Sequence, residues 1–477
     1  MVASSFDVER PNRLALLRRS PSFGLLFFAT TGSSVGTYVA ATALTLDIWA
    51  RTSSGLWVAA LLIADILPIV VVGLVLGPLV DRLSRRGLMI ASDLVRFGVF
   101  AALPFVHSAA AIVVLAGVAG VATGFFRPAA YAGLPNLVPD DELANANSLL
   151  QTVENVAWMV GPLIGAGMVA LWSPSVPYAV NALTFLVSAS LVAKIREAQL
   201  RSEKSLTHGH WRDVSEGIRL VLTAKPLRTV LVVWSIVVIG SAALNVAEVF
   251  FAKDVLAAGD LGFGALVAAS GLGLVLGSYL AAPALAKVGL RRHYVGSIGL
   301  MAVGLIGAAV SPSIWAAIPF VVASSAGNGA AVVCNQLLVQ KGAPDRYRGR
   351  ALTTIMSTNF AVLGLAMAVS GVLTDAVGAR WVLFGAAVVN LAAAVIAVFM
   401  TRWLPARRED EEHALEAYSV AASSQLVPAV EAAGPVLAPA PARDGSAKSG
   451  LERIAVLLEE IEGRRDREAK RARSTSE

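Results

Sequence analysis

The sequence predicts an all-α membrane protein, with twelve transmembrane helices in two pseudo-symmetric six-helix bundles. Three observations carry this prediction. The chain is 56% hydrophobic and only 15% charged, with a mean hydropathy of +0.68, too apolar for a protein whose whole surface faces water. Apolar runs of bilayer length recur twelve times. Lysine and arginine crowd into alternate connections between those runs, and a long polar connection at the midpoint divides six from six.

Taken in order, residues 1–21 form a polar, basic N-terminal segment that precedes the first run, with no short apolar core and small-residue cleavage site. The first run is thus expected to be a retained helix. The first bundle is expected over 22–193, with spans near 22–48, 57–80, 88–107, 109–134, 146–172 and 176–193. Residues 194–227 form a linker in which Trp211, Val214, Ile218 and Val221 recur at helical spacing, which suits an amphipathic helix lying on the membrane surface. The second bundle is expected over 228–403, with spans near 228–252, 262–286, 293–311, 313–337, 352–376 and 380–403. Residues 404–477 form a tail: an acidic patch at Glu409–Glu412, an Ala/Pro/Val-rich stretch read as a disordered linker, and a short heptad run at Leu451, Ile454, Leu458 and Ile461 before a basic end. This tail suits a partner, self-association, the anionic membrane surface or a partly helical solvated state.

The two halves share weak self-similarity. Asn181 in the sixth span has a counterpart in Asn390 in the twelfth, and Pro139-Asp140 before the fifth span parallels Pro344-Asp345 before the eleventh. Orientation follows from the basic connections. Arg82, Arg85 and Arg86, the 194–227 linker, Lys287 to Arg292 and Lys341 to Arg350 share one side, opposite Arg51, Lys253 and Arg380. Both termini are therefore expected in the cytoplasm, and the protein in the cytoplasmic membrane.

Composition also bounds the function. A net charge of +6 and a pI near 9.6 suit nucleic acid in principle, but the basic residues lie where topology places them, so nucleic acid is not an expected partner. Cys334 is the only cysteine, the five histidines form no ligand-spaced pair on a helix face, and neither a metal nor a cofactor is expected. No phosphate loop, nucleophile elbow or zinc helix is present, so the chain is not expected to be an enzyme.

Gly77, Leu79, Asp81, Arg82, Arg85 and Arg86 lie in one short basic connection between two spans. This stretch resembles the signature between the second and third helices of the major facilitator superfamily, Gly-x-Leu-x-Asp-Arg-x-Gly-Arg-Arg, with Ser84 where the family usually has glycine. The resemblance implies a fold of two six-helix halves and a cytoplasmic gate, with Asp81 as a latch facing an arginine or a helix N-terminus. The fifth span, with Gly161-Pro162 and Gly165, resembles the family's antiporter signature, although Ser148, Ala157 and Ala166 replace three of its glycines. Small residues allow close helix approach, and proline removes a backbone hydrogen bond where a helix bends. The stretch from Phe126 to Asn147, together with Asp93 to Arg96, Glu216 to Arg219 and Tyr347 to Arg350, looks like the branch that contains macrolide-efflux proteins and the enterobactin exporter. That likeness covers roughly residues 20 to 403 and implies export. Residues 109–126 lack the arginine that many proton-coupled exporters carry early in the fourth span, so coupling has to be argued from carboxylates.

A charge inside a span is a functional candidate, because hydrocarbon penalises it unless it is paired or faces water. Asp65, mid-span with no basic neighbour in sequence, and Glu154, on the helix face of Trp158, Gly161 and Gly165, are the proton-coupling candidates. Asp47 and Glu248, near equivalent outer span ends, are candidate extracellular gate residues. Asp93, Arg96 and Arg127 are expected as an ion-pair network of the cytoplasmic gate. Substrate-cavity candidates are Thr37, Tyr38, Asn245, Asn328, Asn335 and Gln336, each of which equally suits an interhelical hydrogen bond. Together these readings predict a secondary transporter that exports a small amphipathic molecule such as a drug, antibiotic or siderophore, in exchange for protons and in contact with membrane lipids. A lipid flippase and a non-transporting scaffold or sensor are the rival readings.

Overall fold

A computed structural model of the chain describes residues 15–75, 83–200, 218–343 and 345–404. A short helix, Ala15–Arg19, precedes twelve long ones. These are α1 (Pro21–Thr52), α2 (Gly55–Val75), α3 (Arg85–Ala102), α4 (Ala109–Gly133), α5 (Leu143–Leu171) and α6 (Ser175–Ala193), then α7 (Lys225–Phe250), α8 (Gly259–Val288), α9 (Leu290–Val310), α10 (Ile314–Gly342), α11 (Asp345–Val377) and α12 (Ala379–Met400). All twelve are long and apolar enough to cross a membrane, so the chain is a multi-pass membrane protein.

Local chemistry sets the helix boundaries. Ser84 caps α3 by accepting from the Gly87 N–H, Ser313 caps α10, and Pro21 and Pro226 occupy first-turn positions where an N–H would go unused. Gly289 and Gly378 each make a one-residue connection, between α8 and α9 and between α11 and α12. Their φ values of 79° and 85° lie where a side chain would be strained.

Packing in the first six helices is repeated in the last six. Helix α1 packs on α5 and α6, α2 on α4, and α3 on α4 and α6; correspondingly α7 packs on α11 and α12, α8 on α10, and α9 on α10 and α12. Asn181 of α6 sits on Gly36 of α1, where a Cβ would meet its Oδ1 at 2.5 Å. Asn390 of α12 sits on Gly240 of α7, where the distance would be 2.7 Å. The asparagine pair seen in the sequence thus marks the same helix crossing in both halves.

The two halves meet through α5 on α8 and α2 on α11. A single apolar core, from Ala40, Val58 and Phe185 to Val246, Leu266 and Ala387, runs through both at the end far from the basic connections. At the basic end the first half has a core of its own, built on Phe23, Met89, Phe126 and Leu150. Gln151, Thr152 and Asn155 on α5 and Gln336 on α10 are exposed in the basic half of their helices. Polar side chains do not face hydrocarbon without cost, so these residues line a cleft open toward the basic end while the far end is closed.

Gly161 and Gly165 of the antiporter-like motif seat α1 directly on α5: a Cβ at Gly161 would lie 2.6 Å from the Tyr38 Cβ, and one at Gly165 would collide with the Val39 carbonyl oxygen. Gly165→Val is therefore expected to destabilise the fold by about 1–3 kcal/mol, the usual scale for overpacking. A lowered thermal midpoint of the detergent-solubilised protein checks this; an unchanged midpoint would show that α1 yields at Val39.

Candidate functional site

Helix α1 carries a stripe of hydroxyls, Thr30, Ser33, Ser34 and Thr37, followed by Tyr38, at the three- and four-residue spacing of one helix face. The stripe forms one wall of a pocket of about 70 Å³ inside the first half. Arg96 of α3, Thr123, Phe126 and Arg127 of α4, and Glu154 of α5 complete it.

The charges here are paired, with polar atoms left over. Arg127 donates to Glu154 Oε2 at 2.6 Å; Glu154 is buried, whereas the Arg127 side chain is 45% exposed. Arg96 donates to Asp93 Oδ1 at 2.5 Å, and its guanidinium lies 4.6 Å from the Phe126 ring centre and 4.3 Å from that of Phe185. Arg96 Nε, Asp93 Oδ2 and Thr30 Oγ1 are buried with no partner among the described residues. Aromatic faces replace part of the water that the Arg96 cation has lost.

Asp65 of α2 is half-buried and has no ion-pair partner among the described residues. Its backbone carbonyl lies against Gly120 of α4, where a Cβ would approach it to 2.6 Å. Tyr38 lies within electrostatic range of Asp65, Glu154 and Arg127, and Tyr131 within range of Glu154 and Arg127. The fold therefore gathers Asp65, Glu154 and Arg127, from three helices, around Tyr38.

The remaining sequence-derived residues fall elsewhere. Arg127 pairs with Glu154 instead of joining Asp93 and Arg96, and the Asp93–Arg96 pair lies at the pocket wall, halfway along α3, away from the helix ends where a cytoplasmic gate was expected. Asp47 is buried, bonded to Arg51 at 2.7 Å and to the Tyr178 hydroxyl at 3.0 Å, all within the first half. Glu248 is buried too, with Oε1 unpartnered among the described residues. Asn335 is buried and accepts from the Tyr294 hydroxyl at 2.8 Å, so it joins α10 to α9 away from the pocket. Asn245 and Gln336 are exposed, Asn328 is half-buried, and none of the three lines the pocket. Arg86 donates to the Ala193 carbonyl, tying α3 to the end of α6, and Arg85 is half-buried in the first turn of α3. Gly77, Asp81 and Arg82 lie outside the described residues, as do Trp211, Val214 and the tail. Among the described residues, no three His, Cys, Asp or Glu side chains are grouped to hold a metal.

Thr30, Ser33, Ser34 and Thr123 join the site without having been candidates on sequence grounds, and Phe126 and Tyr131, which belong to the efflux-branch stretch, join it as aromatic neighbours. The signal for four of the wall positions was available: hydroxyls at 30, 33, 34 and 37 form one stripe on an otherwise apolar helix.

The transmembrane secretion effector family, of the major facilitator type, matches residues 13–437. The chain is 28% identical over 408 residues to the multidrug efflux pump Tap of Mycolicibacterium fortuitum, covering 81% of this chain and 97% of that one. It is 25% identical over 189 residues to macrolide efflux protein A of Streptococcus pyogenes, covering 38% of this chain and 47% of that one. Among solved structures it resembles the nucleoside transporter NupG, with a TM-score of 0.66 at 12% identity over 80% of this chain and 99% of that one. It also resembles a bacterial homologue of the lysosomal transporter Spinster, with a TM-score of 0.60 at 13% identity over 88% of this chain and 98% of that one. At such identities these likenesses show the fold.

Proposed function

Since the chain belongs to the transmembrane secretion effector family of major facilitator transporters, we propose that it exports a small amphipathic molecule, such as a drug, antibiotic or siderophore, across the cytoplasmic membrane in exchange for protons. The observation that carries this reading is the pocket beside Tyr38, where Glu154 and Arg127 meet hydroxyls and aromatic rings in an otherwise apolar bundle, with Asp65 of α2 within electrostatic range of Tyr38 but outside the pocket lining. A substrate amine or hydrogen-bonding group and a proton compete at Glu154, and exchange is obligatory when only the substrate-loaded or the protonated form switches conformation. The efflux relatives support the direction of transport.

The concentration of lysine and arginine in the basic connections supports a cytoplasmic open end and cytoplasmic termini. Substrate enters the cleft from there or from the inner leaflet and seats against α1, with its polar group at Tyr38 and Glu154. Closure of the basic end and opening of the far end expose the pocket to the outside, where protons displace the substrate. Loss of those protons to the cytoplasm after the return resets the cycle. Membrane lipids surround the bundle, and the tail engages a partner or a second copy.

Uptake of a fluorescent lipophilic cation into inside-out vesicles under an imposed pH gradient tests the proposal. Accumulation that collapses when the gradient is dissipated is the expected result; accumulation indifferent to the gradient would rule out proton exchange. An almost wholly apolar groove of about 470 Å³ between α7, α11 and α12, with Ser370 as its lone hydroxyl, favours a second reading, lipid translocation. Movement of labelled phospholipid between leaflets, with no dye accumulation, would select it.

A further inference from the structure

The two seams between the halves occupy equivalent places in the repeat but differ in chemistry. On one, Gly264 near the start of α8 lies against the Pro162 carbonyl oxygen, where a Cβ would approach to 2.9 Å, and against the Ala166 methyl of α5. On the other, Gly55 at the start of α2 lies against Gly371 of α11, and a Cβ on either would approach the other's carbonyl oxygen to 2.6 or 2.7 Å. This second seam also holds a carboxylate. Asp375, in the last turn of α11, accepts from the Ser54 hydroxyl at 2.8 Å, from the Leu56 N–H at 3.2 Å and from the Gly55 N–H.

Those donors belong to the opening of α2. The first N–H groups of a helix have no partner within it and carry the positive end of its dipole. Here the connection from α1 is two residues long, with Ser53 in the left-handed region at φ 45°, and the cap comes from the other half of the molecule instead of from a residue next to α2 in the chain. Separating the halves at the far end therefore uncaps a helix and strands a carboxylate in one step. The Gly264 seam holds no such bond among the described residues.

We infer that Asp375 is a positioning residue for the transport cycle: by capping α2 from α11, it sets the balance between the conformer closed at the far end and the conformer open there. The inference rests on the alternating-access reading above but needs neither a substrate nor a coupling ion. It also places the control of opening on one seam of two.

The test uses the full-length protein in lipid nanodiscs, with Cys334→Ala and spin labels at Ser108→Cys and Pro312→Cys, on far-end connections of opposite halves. Asp375→Ala is expected to raise the ratio of long to short distances about tenfold, the size of effect that loss of a strong cap produces. Asp375→Asn keeps an acceptor suited to a helix start and should shift the ratio by less than about threefold. Ser54→Ala should add little on top of Asp375→Ala, because the two share one bond.

An unchanged ratio in a well-folded Asp375→Ala protein would overturn the inference. So would equal shifts in the Ala and Asn variants, or fully additive effects of Ser54→Ala. A shifted ratio without dye flux would fault the export reading and leave the Asp375 cap standing; dye flux with an unshifted ratio would do the reverse.

Discussion

An Asp65→Asn transporter is expected to bind and exchange its substrate yet fail to concentrate it. When one proton is exchanged for one monovalent cation, each unit of pH gradient supports about tenfold accumulation, because 1.4 kcal/mol is tenfold in a ratio. Asparagine has nearly the shape of the protonated aspartate but can neither take up nor release the proton. In vesicles with a two-unit gradient, dye accumulation should fall from a limit of about a hundredfold toward about one. Exchange of labelled for unlabelled dye, which needs no net proton movement, should persist. Asp65 has no ion-pair partner among the described residues, so its replacement breaks no salt bridge and the fold should be undisturbed. Wild-type accumulation in this variant would remove Asp65 from the coupling path.

Glu154 calls for a different design, because it is bonded to Arg127. Arg127→Met leaves a buried carboxylate without its partner. Breaking a fully buried pair typically costs 3–5 kcal/mol, but the Arg127 side chain is 45% exposed and water screens it, so about 2 kcal/mol is expected here. The double variant Arg127→Met/Glu154→Gln carries no charge at either position and should regain most of that stability. If the pair belongs to transport, the double variant will regain most of its thermal stability yet will not accumulate dye under a pH gradient. Recovery of both stability and accumulation would make the pair purely structural.

Much of the fold was legible because hydrocarbon imposes length and polarity on every span. Each of the twelve runs read from the sequence overlaps one of the twelve apolar helices, the run at 57–80 as far as Val75, where the described residues stop. Hydropathy loses sight of the helix ends. The basic first turns of α3 at Arg85–Arg86 and of α7 at Lys225–Arg228 are helical, yet a search for apolar runs stops short of them. Asn181 and Asn390 were readable as a repeat because each fills the same crossing in its own half.

The site was less legible. Asp93 with Arg96 and Asp47 with Arg51 are separated by one helical turn, so sequence spacing alone suggests both pairs. Arg127 and Glu154 are 27 residues apart on neighbouring helices, and no periodicity connects them. Asp375 escaped notice for the opposite reason: at the end of a span an aspartate looks like ordinary hydrated surface, and its partners are more than 300 residues away.

The hydroxyls of α1 donate mostly to their own helix. Thr31, Ser33, Thr37, Thr42 and Thr45 bond to the carbonyls of Phe27, Thr30, Ser33, Tyr38 and Ala41. Those five hydroxyls give their hydrogen to their own helix, so that stretch of α1 can shift against its neighbours without exchanging those bonds, whereas Asp47, bonded to Tyr178 of α6, ties its far end. In mechanical terms the middle of α1 is a bearing with a self-contained lubricant, pinned at one end by Asp47.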